Sequence, residues 1–599
     1  MQGLVKDYLG GTISRRSFIR RSTAAGFSVV AARSAIDELQ PIVNPNQAST
    51  FSTATTSTTS VTGTGGELLA EQLRAAGVRF VFVCNSSGMG SLCDAIVDRP
   101  DLQFIQGISE NQAVAMADGY AKATGETTFA CFSRVGGPLA SANMYNAMKD
   151  RTPVVILTDH MDSQADGRDG PEDLDDWLDA FKQYTKWRWL VKEGNRIPEW
   201  VAHAFKVSST APCGPTFVRV PRNVLYQSNL KAEILSRESL SVPMDITPNP
   251  KYVERAAQML IESKNPMRFP APIDLFLNFG AQMPDPGSGP PTVSRTAKII
   301  DARVDSRQPG ADYPVNLSLI ADVKETARAL IEALNSMATK KRLAAIKEGR
   351  WAATRAFTEK IRQSYLTAAR DGWDEGPLTW PRLLVTVNEM LDEDAIIVEE
   401  VGTEEWVLRS FPFADGKKTK IGRTLGRSLC WGMGASIGVK LARPNKQVVS
   451  LQGDGGFLFG QSDSLWAMSR YDVPIITIVC NNRSYDEPRN NILMKGGRSR
   501  QENKDMICYL GSPDVEFTHL AAAYGIQGQR RRGCRRDGLR TPHANLNLRV
   551  SQVFADEVNE EFEPGAYVSS GVTCRNPRRK EELQKAREVL EELAAGPRN

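Results

Sequence analysis

The sequence predicts an α/β protein in which two parallel-sheet units flank a smaller central α/β unit. Three observations carry this reading. Short β-type runs alternate with helix-spaced segments from residue 66 onward, and strands separated by helices call for parallel pairing with helices on both faces. The same rhythm returns only at about residue 382, which leaves room for something smaller between. In the second unit one strand-like run ends on GDGG (453–456) and another on NN (481–482), so polar residues gather where such sheets gather ligands.

Composition narrows the class. A chain of 599 residues, 41% hydrophobic and 24% charged, suits a globular enzyme of about two to four domains. Its net charge is +4, with no basic stripe in the folded part, so nucleic acid is not an expected partner. Nine cysteines form no CxxC pair and sit mostly in strand-like surroundings, which reads as buried thiols rather than a disulfide frame or a zinc site. The four histidines, His160, His203, His519 and His543, are too few for a His-rich metal centre and disfavour a Ser-His-Asp hydrolase.

The elements follow in order. Residues 14–35, SRRSFIRRSTAAGFSVVAARSA, place paired arginines and Phe18 before a short Ala/Val-rich run, which resembles a twin-arginine export signal. That resemblance implies handling by the twin-arginine export machinery and an exported, periplasmic destination; the alternative is a disordered basic leader on a cytoplasmic protein. The apolar run is shorter than the ~20 residues that cross a bilayer. Residues 48–65 read as a Ser/Thr-rich linker, so residues 1–65 are set outside the fold. The first unit, 66–235, then runs through helix-like ELLAEQLRAAGV, strand-like RFVFVC, helix-like SLCDAIVD, strand-like LQFIQGI, helix-like ENQAVAMADGYAKATG, and the strands TTFACFS and PVVILT. A central unit occupies 236–345 and a charged amphipathic connecting helix 346–380. The second large unit, 381–530, contains AIIVEE, helix-like CWGMGASIGVKLA, strand VVSLQG, helix SDSLWAMSRY and strand PIITIVC. The tail, 531–599, is arginine-rich at its start and shows no strand-helix-strand ending, although EELQKAREVLEELAAG has helical periodicity.

Asp454 and Asn482 stand at the ends of VVSLQG and PIITIVC. A carboxylate and an amide oxygen are hard ligands suited to Mg²⁺, which binds few protein oxygens together with phosphates. Gly455 and Gly456 allow backbone N–H groups to approach a phosphate. Gly-Asp-Gly by itself is also an ordinary turn.

With its spacing and strands, GDG…NN resembles the thiamine diphosphate-binding motif of the superfamily of acetolactate synthase, pyruvate decarboxylase and benzoylformate decarboxylase. The resemblance implies thiamine diphosphate and Mg²⁺ as cofactors, with Asp454, Asn482 and the backbone carbonyl of Ser484 as metal ligands. It makes Gly453, Gly455 and Gly456, with Gly402 and Thr403 of VEEVGTEEW, the diphosphate contacts. Leu429 of GRSLCWGMGASIG would prop the cofactor, and Cys430 stands where the family has glycine. Glu110, opening the helix of GISENQAVAMADGYAKATG, matches the glutamate that hydrogen-bonds the aminopyrimidine ring in the pyrimidine-binding domain; simple helix capping is the alternative role. By the same resemblance 66–235 is the pyrimidine domain and 381–530 the diphosphate domain. The central domain is shortened, lacking the segment for its first strand and glycine-rich turn, and FAD is not expected.

The implied activity is decarboxylation or carboligation of a small-molecule 2-oxo acid, acetolactate synthase-like. The alternatives are a benzoylformate decarboxylase-like enzyme and a catalytically dead relative retaining the fold. Leu429 looks like the decarboxylase, but Phe132 stands where that enzyme has an active-site histidine. Ser87 of CNSSGMG falls at a substrate-contact position. His160 of DHMD, where relatives carry Gln, could move protons near neutrality or could be a packed histidine. The family pattern also implies a homodimer or homotetramer, with glutamate and metal clamp contributed by different subunits.

Overall fold

The computed structural model describes residues 58–531 and 552–557, together with Phe18 and Ser22, apart from 169, 241, 243, 265–272, 284–292, 295, 372, 374–378, 403–417, 423 and 503. The described residues divide into two compact units, one of 58–242 with 362–557, the other of 244–361.

The larger unit holds two six-stranded parallel sheets. The first contains β2 (Phe80–Val83), β3 (Gln103–Gln106), β4 (Thr128–Phe132), β5 (Val154–His160), β6 (Trp187–Leu190) and β7 (Thr216–Pro221), in the order β3-β2-β4-β5-β7-β6. β4, β5 and β7 are buried along their whole length, because helices cover both faces of the sheet; their sequences accordingly read as apolar runs without alternation. α1 (Gly65–Ala75) begins on a capping box, Thr64 and Glu67 each bonding the other's backbone N–H. α2 (Gly90–Val97), α3 (Glu110–Thr124), α4 (Gly137–Asp150) and α5 (Ile197–Ser209) complete the layers. α3 starts at Ser109, whose hydroxyl caps Gln112, and stops at Gly125 in the left-handed conformation that glycine adopts without strain.

Folding begins earlier than the composition suggested. β1 (Thr58–Gly63) pairs antiparallel with β8 (Leu230–Leu235), so the end of the Ser/Thr-rich stretch is a strand and not linker. Its side chains are mostly exposed. A two-stranded ribbon needs only backbone partners and β-branched residues, both of which TTSVTG provides. The leader at 14–35 lies outside the described residues, save Phe18 and Ser22.

The second sheet comprises β12 (Ile396–Glu400), β13 (Thr419–Ile421), β14 (Val448–Gly453), β15 (Ile476–Asn481), β16 (Gln527–Arg531) and β17 (Gln552–Glu557), in the order β13-β12-β14-β15-β17-β16. The expectation of a tail without a strand is corrected here: β17 inserts between β15 and β16, parallel to both. The arginine-rich run hid it, since the strand resumes only after residues 532–551, which lie outside the described residues. α9 (Trp380–Met390), α10 (Gly432–Ala442), α11 (Asp454–Leu458), α12 (Asp463–Arg470), α13 (Asp486–Met494) and α14 (Phe517–Ala523) flank this sheet.

α3 packs on α10 through small residues, which lets the two backbones approach. A Cβ at Gly119 would lie 2.2 Å from the Ala435 carbonyl oxygen, and one at Gly438 would lie 2.0 Å from that of Met116. Gly→Ala in a helix interior ordinarily stabilises by about 0.5–1 kcal/mol. Here the obstacle is backbone, so the sign reverses: Gly438→Ala is expected to destabilise by about 1–3 kcal/mol, seen as a lower Tm.

The smaller unit carries a three-stranded parallel sheet, β9 (Leu275–Phe279), β10 (Lys298–Arg303) and β11 (Leu317–Ile320), in the order β11-β10-β9. α6 (Pro250–Glu262) and α7 (Val323–Met337) pack on it through Val253, Ala256, Ala257, Leu330 and Ala333. The connecting helix, α8, spans Lys340–Arg370.

Candidate functional site

The register of the second sheet brings three carboxyl ends together. Glu400 of β12 pairs with Gln452 of β14, and Gly453 of β14 pairs with Cys480 of β15. Gly402, Asp454 and Asn482 therefore emerge from neighbouring strands at one edge. Asp454 is 4% exposed, its Oδ1 accepts from the Gly455 N–H at 2.8 Å, and the Arg483 and Ser484 N–H groups, which donate to Asn481 and Asn482, lie near enough to favour its charged form. Burial pushes its carboxyl up to about 7 against the pull of those donors. Asn482 Oδ1 accepts from the Ser484 N–H at 3.1 Å. The residue four beyond Ser484 is Pro488, which has no N–H to give its carbonyl. Tyr485 closes over the turn: its hydroxyl donates to the Gly455 carbonyl at 3.2 Å, and a Cβ at Gly455 would strike its ring at 2.4 Å. Gly456 differs, since a Cβ there would meet nothing closer than 3.8 Å. Protein crowding accounts for Gly455, while Gly456 has room for a Cβ at ordinary contact distance.

Leu429 lies on this room, its Cδ2 being one of the atoms 3.8 Å from the Gly456 Cβ position. The loop that carries it is stapled to α4. Asn146 Nδ2 donates to the Ser428 carbonyl at 2.9 Å, Asn143 Nδ2 donates to the Cys430 carbonyl at 2.8 Å, and Asp150 accepts from the Leu425 N–H at 2.7 Å. Asn143, Asn146 and Asp150 follow helical spacing, one face of α4 reading one loop. On the other side Glu400 Oε2 accepts from the Gly432 N–H at 2.6 Å and from Gln461 Nε2 at 3.0 Å, while Gln461 Nε2 also reaches the Gly456 carbonyl at 2.7 Å. Trp431 is pinned by Asp118, its Nε1 donating at 2.6 Å. Cys430 takes φ of 80°, the left-handed region a glycine there would enter freely. Apart from Cys430, the sequence motifs singled out none of these supports, because most act across more than 25 residues of chain or between the two sheets.

Glu110, 9% exposed, opens α3 and faces the turn after β4. A Cβ at Gly136 would lie 2.2 Å from Glu110 Cγ, so glycine at 136 is what makes space for this carboxylate. Cys84 lies beside Glu110, and burial, with that carboxylate second, pushes its thiol up to about 12; burial likewise raises Cys430 to about 12. Both thiols stay protonated and neither serves as a nucleophile at neutral pH. The first turn of α3 packs against the second sheet domain of the same chain, with Asn111 beside Cys430 and Ser109 Oγ 2.9 Å from Asp463 Oδ2.

Two expectations are corrected. His160 does stand at the end of β5, but Nδ1 meets Arg219 Nη2 at 2.5 Å and Nε2 meets Asp166 at 2.6 Å. A guanidinium only donates, so Nδ1 accepts and Nε2–H donates to Asp166. Burial, then the Arg219 charge, lowers its pKa, which makes it a neutral packed histidine with no ring nitrogen to spare. Phe132 is fully buried in the core between the sheet and its helices, since the last residue of β4 points inward, and it contacts no substrate space. Ser87 is exposed, at the start of a short 3₁₀ turn beyond β2. Thr403 lies outside the described residues.

The arrangement suits the cofactor pair. One desolvated carboxylate, an amide oxygen and a backbone carbonyl make an oxygen-only set for Mg²⁺, and among the described residues no cluster of three or more His, Cys, Asp or Glu offers a competing metal site. Gly456, with Leu429 beside it, leaves its backbone less crowded than that of Gly455.

Comparison with known proteins agrees. Residues 63–180 match the thiamine pyrophosphate enzyme N-terminal TPP binding domain, and 401–540 match the C-terminal TPP binding domain. A probable acetolactate synthase large subunit of Methanocaldococcus jannaschii is 25% identical over 549 residues, covering 78% of this chain and 87% of the relative. The acetolactate synthase large subunit of Lactococcus lactis is 24% identical with the same coverage. Among solved structures, the Rhodococcus jostii thiamine diphosphate-dependent 4-hydroxybenzoylformate decarboxylase superposes with a TM-score of 0.64 at 19% identity, covering 83% of this chain and 99% of its own. A putative thiamin diphosphate-dependent enzyme from Mycobacterium smegmatis gives 0.65 at 18% identity, with 83% and 100% covered. These two show a shared fold. With both cofactor domains matched and the strand ends so arranged, the chain belongs to the thiamine pyrophosphate enzyme family.

Proposed function

We propose that this protein binds thiamine diphosphate with Mg²⁺ and acts on a 2-oxo acid by decarboxylation or carboligation, as acetolactate synthase-like enzymes do. The observation that carries the reading is the convergence of Asp454, Asn482, Ser484 and Gly402 at one sheet edge, with Leu429 against the same turn. Thiamine diphosphate, when bound, supplies the electron sink for cleaving the bond next to a carbonyl. Asp454, Asn482 and the Ser484 carbonyl hold the metal, Gly455 and Gly456 present backbone to the diphosphate, and Leu429 supports the cofactor. Glu110 would face the pyrimidine ring of the cofactor and offer it a carboxylate for hydrogen bonding. The testing experiment is calorimetric titration of thiamine diphosphate into the protein with and without Mg²⁺. Mg²⁺-dependent binding supports the reading, and its absence in a folded sample overturns it in favour of a relative that keeps only the fold.

Leu429 favours a second reading, a benzoylformate decarboxylase-like enzyme. Product analysis separates the two: an aldehyde with carbon dioxide marks the decarboxylase, a new carbon–carbon bond the carboligase. The leader supports twin-arginine export, and among the described residues no helix is long and apolar enough to cross a membrane. Exposed Ile108, Val135, Leu139, Leu458 and Phe459 lie close in sequence to the site residues and support a homodimer or homotetramer that covers them.

The raised carboxyl of Asp454 gives a pH signature. Below about 7 a proton occupies the place of the metal, so Mg²⁺ affinity is expected to climb with pH up to about 7 and level off above it, by up to roughly tenfold per unit. The metal-free protein binds more protons than its unfolded chain in this window, so its stability falls as pH rises from the ordinary carboxylate range to about 7, and Mg²⁺ offsets the fall. Melting curves across that window with and without Mg²⁺ check both signs.

A further inference from the structure

Asp463 lies in the first turn of α12, away from the metal-binding turn, and no motif points to it. Its Oδ2 accepts a hydrogen bond from Ser109 Oγ at 2.9 Å, across 354 residues of sequence. Ser109 is the N-cap of α3, and the same Oγ accepts from the Gln112 N–H at 3.3 Å. A hydroxyl has one hydrogen and two lone pairs, so giving the hydrogen to Asp463 turns its lone pairs toward the helix and makes tether and cap one unit. The residue that follows the cap is Glu110. The second oxygen, Asp463 Oδ1, is buried and has no hydrogen-bond partner. A half-satisfied buried carboxylate costs stability that an apolar residue would not, which argues that the position serves something other than packing.

We infer that Asp463 is a positioning residue for Glu110: by holding Ser109 it fixes the first turn of α3 and hence the direction in which the Glu110 carboxylate is presented. Helix N-termini fray unless their N–H groups are held, and a reacting group displaced by about 1 Å can lose on the order of a hundredfold. Asn143 already links Asn111 of the first turn to the Cys430 carbonyl of the second sheet domain; Asp463 adds a direct tether at the cap itself.

The inference rests on the cofactor reading above, and its test separates the two. Asp463→Ala removes the tether. Asp463→Asn keeps an acceptor oxygen and is the rescue. Ser109→Gly removes the tether while leaving a residue that caps helices nearly as well. In the full chain without cofactor, hydrogen exchange at 108–113 is expected to quicken about tenfold in Asp463→Ala and Ser109→Gly, to stay near wild type in Asp463→Asn, and to be no faster in the Asp463→Ala/Ser109→Gly double variant than in either single one. With thiamine diphosphate and Mg²⁺ bound, exchange of the cofactor's C2 proton is expected to slow by roughly 10–100-fold in the two tether variants, with cofactor affinity unchanged. Unaltered exchange at 108–113 in both tether variants overturns the positioning role. Failure of the wild-type chain to bind thiamine diphosphate overturns the cofactor reading instead, and the cofactor-free measurement still decides Asp463. Should Asp463→Ala not fold, Ser109→Gly carries the test.

Discussion

Glu110→Gln is expected to bind thiamine diphosphate and Mg²⁺ as tightly as the wild-type chain and to slow exchange of the C2 proton by roughly 10²–10⁴-fold, the range for loss of a positioned acid–base group. The proposed metal ligands are untouched by the change, as Asp454, Asn482 and Ser484 all belong to the second sheet domain. The shape of the pocket is also kept, because Gln matches Glu in volume and the space beside Gly136 is cut to that volume: a Cβ at 136 would sit 2.2 Å from Glu110 Cγ. What is lost is the ability to share a proton. The competing role, a carboxylate favoured at a helix N-terminus, is worth only about 0.3–1 kcal/mol and would show as a slightly lower Tm with exchange intact. A full rate of C2 exchange in Glu110→Gln therefore reassigns Glu110 to capping.

The parallel sheets were legible because their strands are buried on both faces and interrupted by helices, which leaves runs such as VVILT and IITIV standing out from their surroundings. The GDGG turn and the paired asparagines were legible at strand ends because each directly follows an apolar run. β1 was not, since an exposed ribbon shows no hydrophobic pattern and its partner lies some 170 residues away at β8. His160 misled for a related reason. A histidine at a strand end is visible in sequence, whereas Arg219, which turns it into a packed hydrogen-bond acceptor, arrives from β7, 59 residues on. Phe132 failed on direction: alternation along a strand sends adjacent residues to opposite faces, and register decides which face an end residue takes. The staples on the Leu429 loop come from α4, on a separate sheet domain, and only tertiary structure pairs Asn143 and Asn146 with 428–430.

Asp454→Ala is expected to abolish Mg²⁺-dependent binding of thiamine diphosphate outright. Saturating cofactor at about 100 times its Kd stabilises a folded protein by about 2.7 kcal/mol, and this gain should be absent in the variant. Misfolding cannot mimic the result, because the expected change in the metal-free protein has the opposite sign: removing a carboxylate that burial disfavours should leave stability at neutral pH equal or higher. The variant also decides how the site is assembled. Mixing Asp454→Ala chains with Glu110→Gln chains after dissociation gives oligomers with one defect on each chain. If glutamate and clamp come from different subunits, half the mixed dimers' sites are intact, and random pairing restores about a quarter of the wild-type activity. If one chain supplies both, every site keeps one defect and nothing is restored. The family resemblance, with glutamate and clamp on different subunits, leads to the expectation of recovery; its absence would mean that one polypeptide, in which Ser109 bonds Asp463 and Asn143 bonds the Cys430 carbonyl, supplies both.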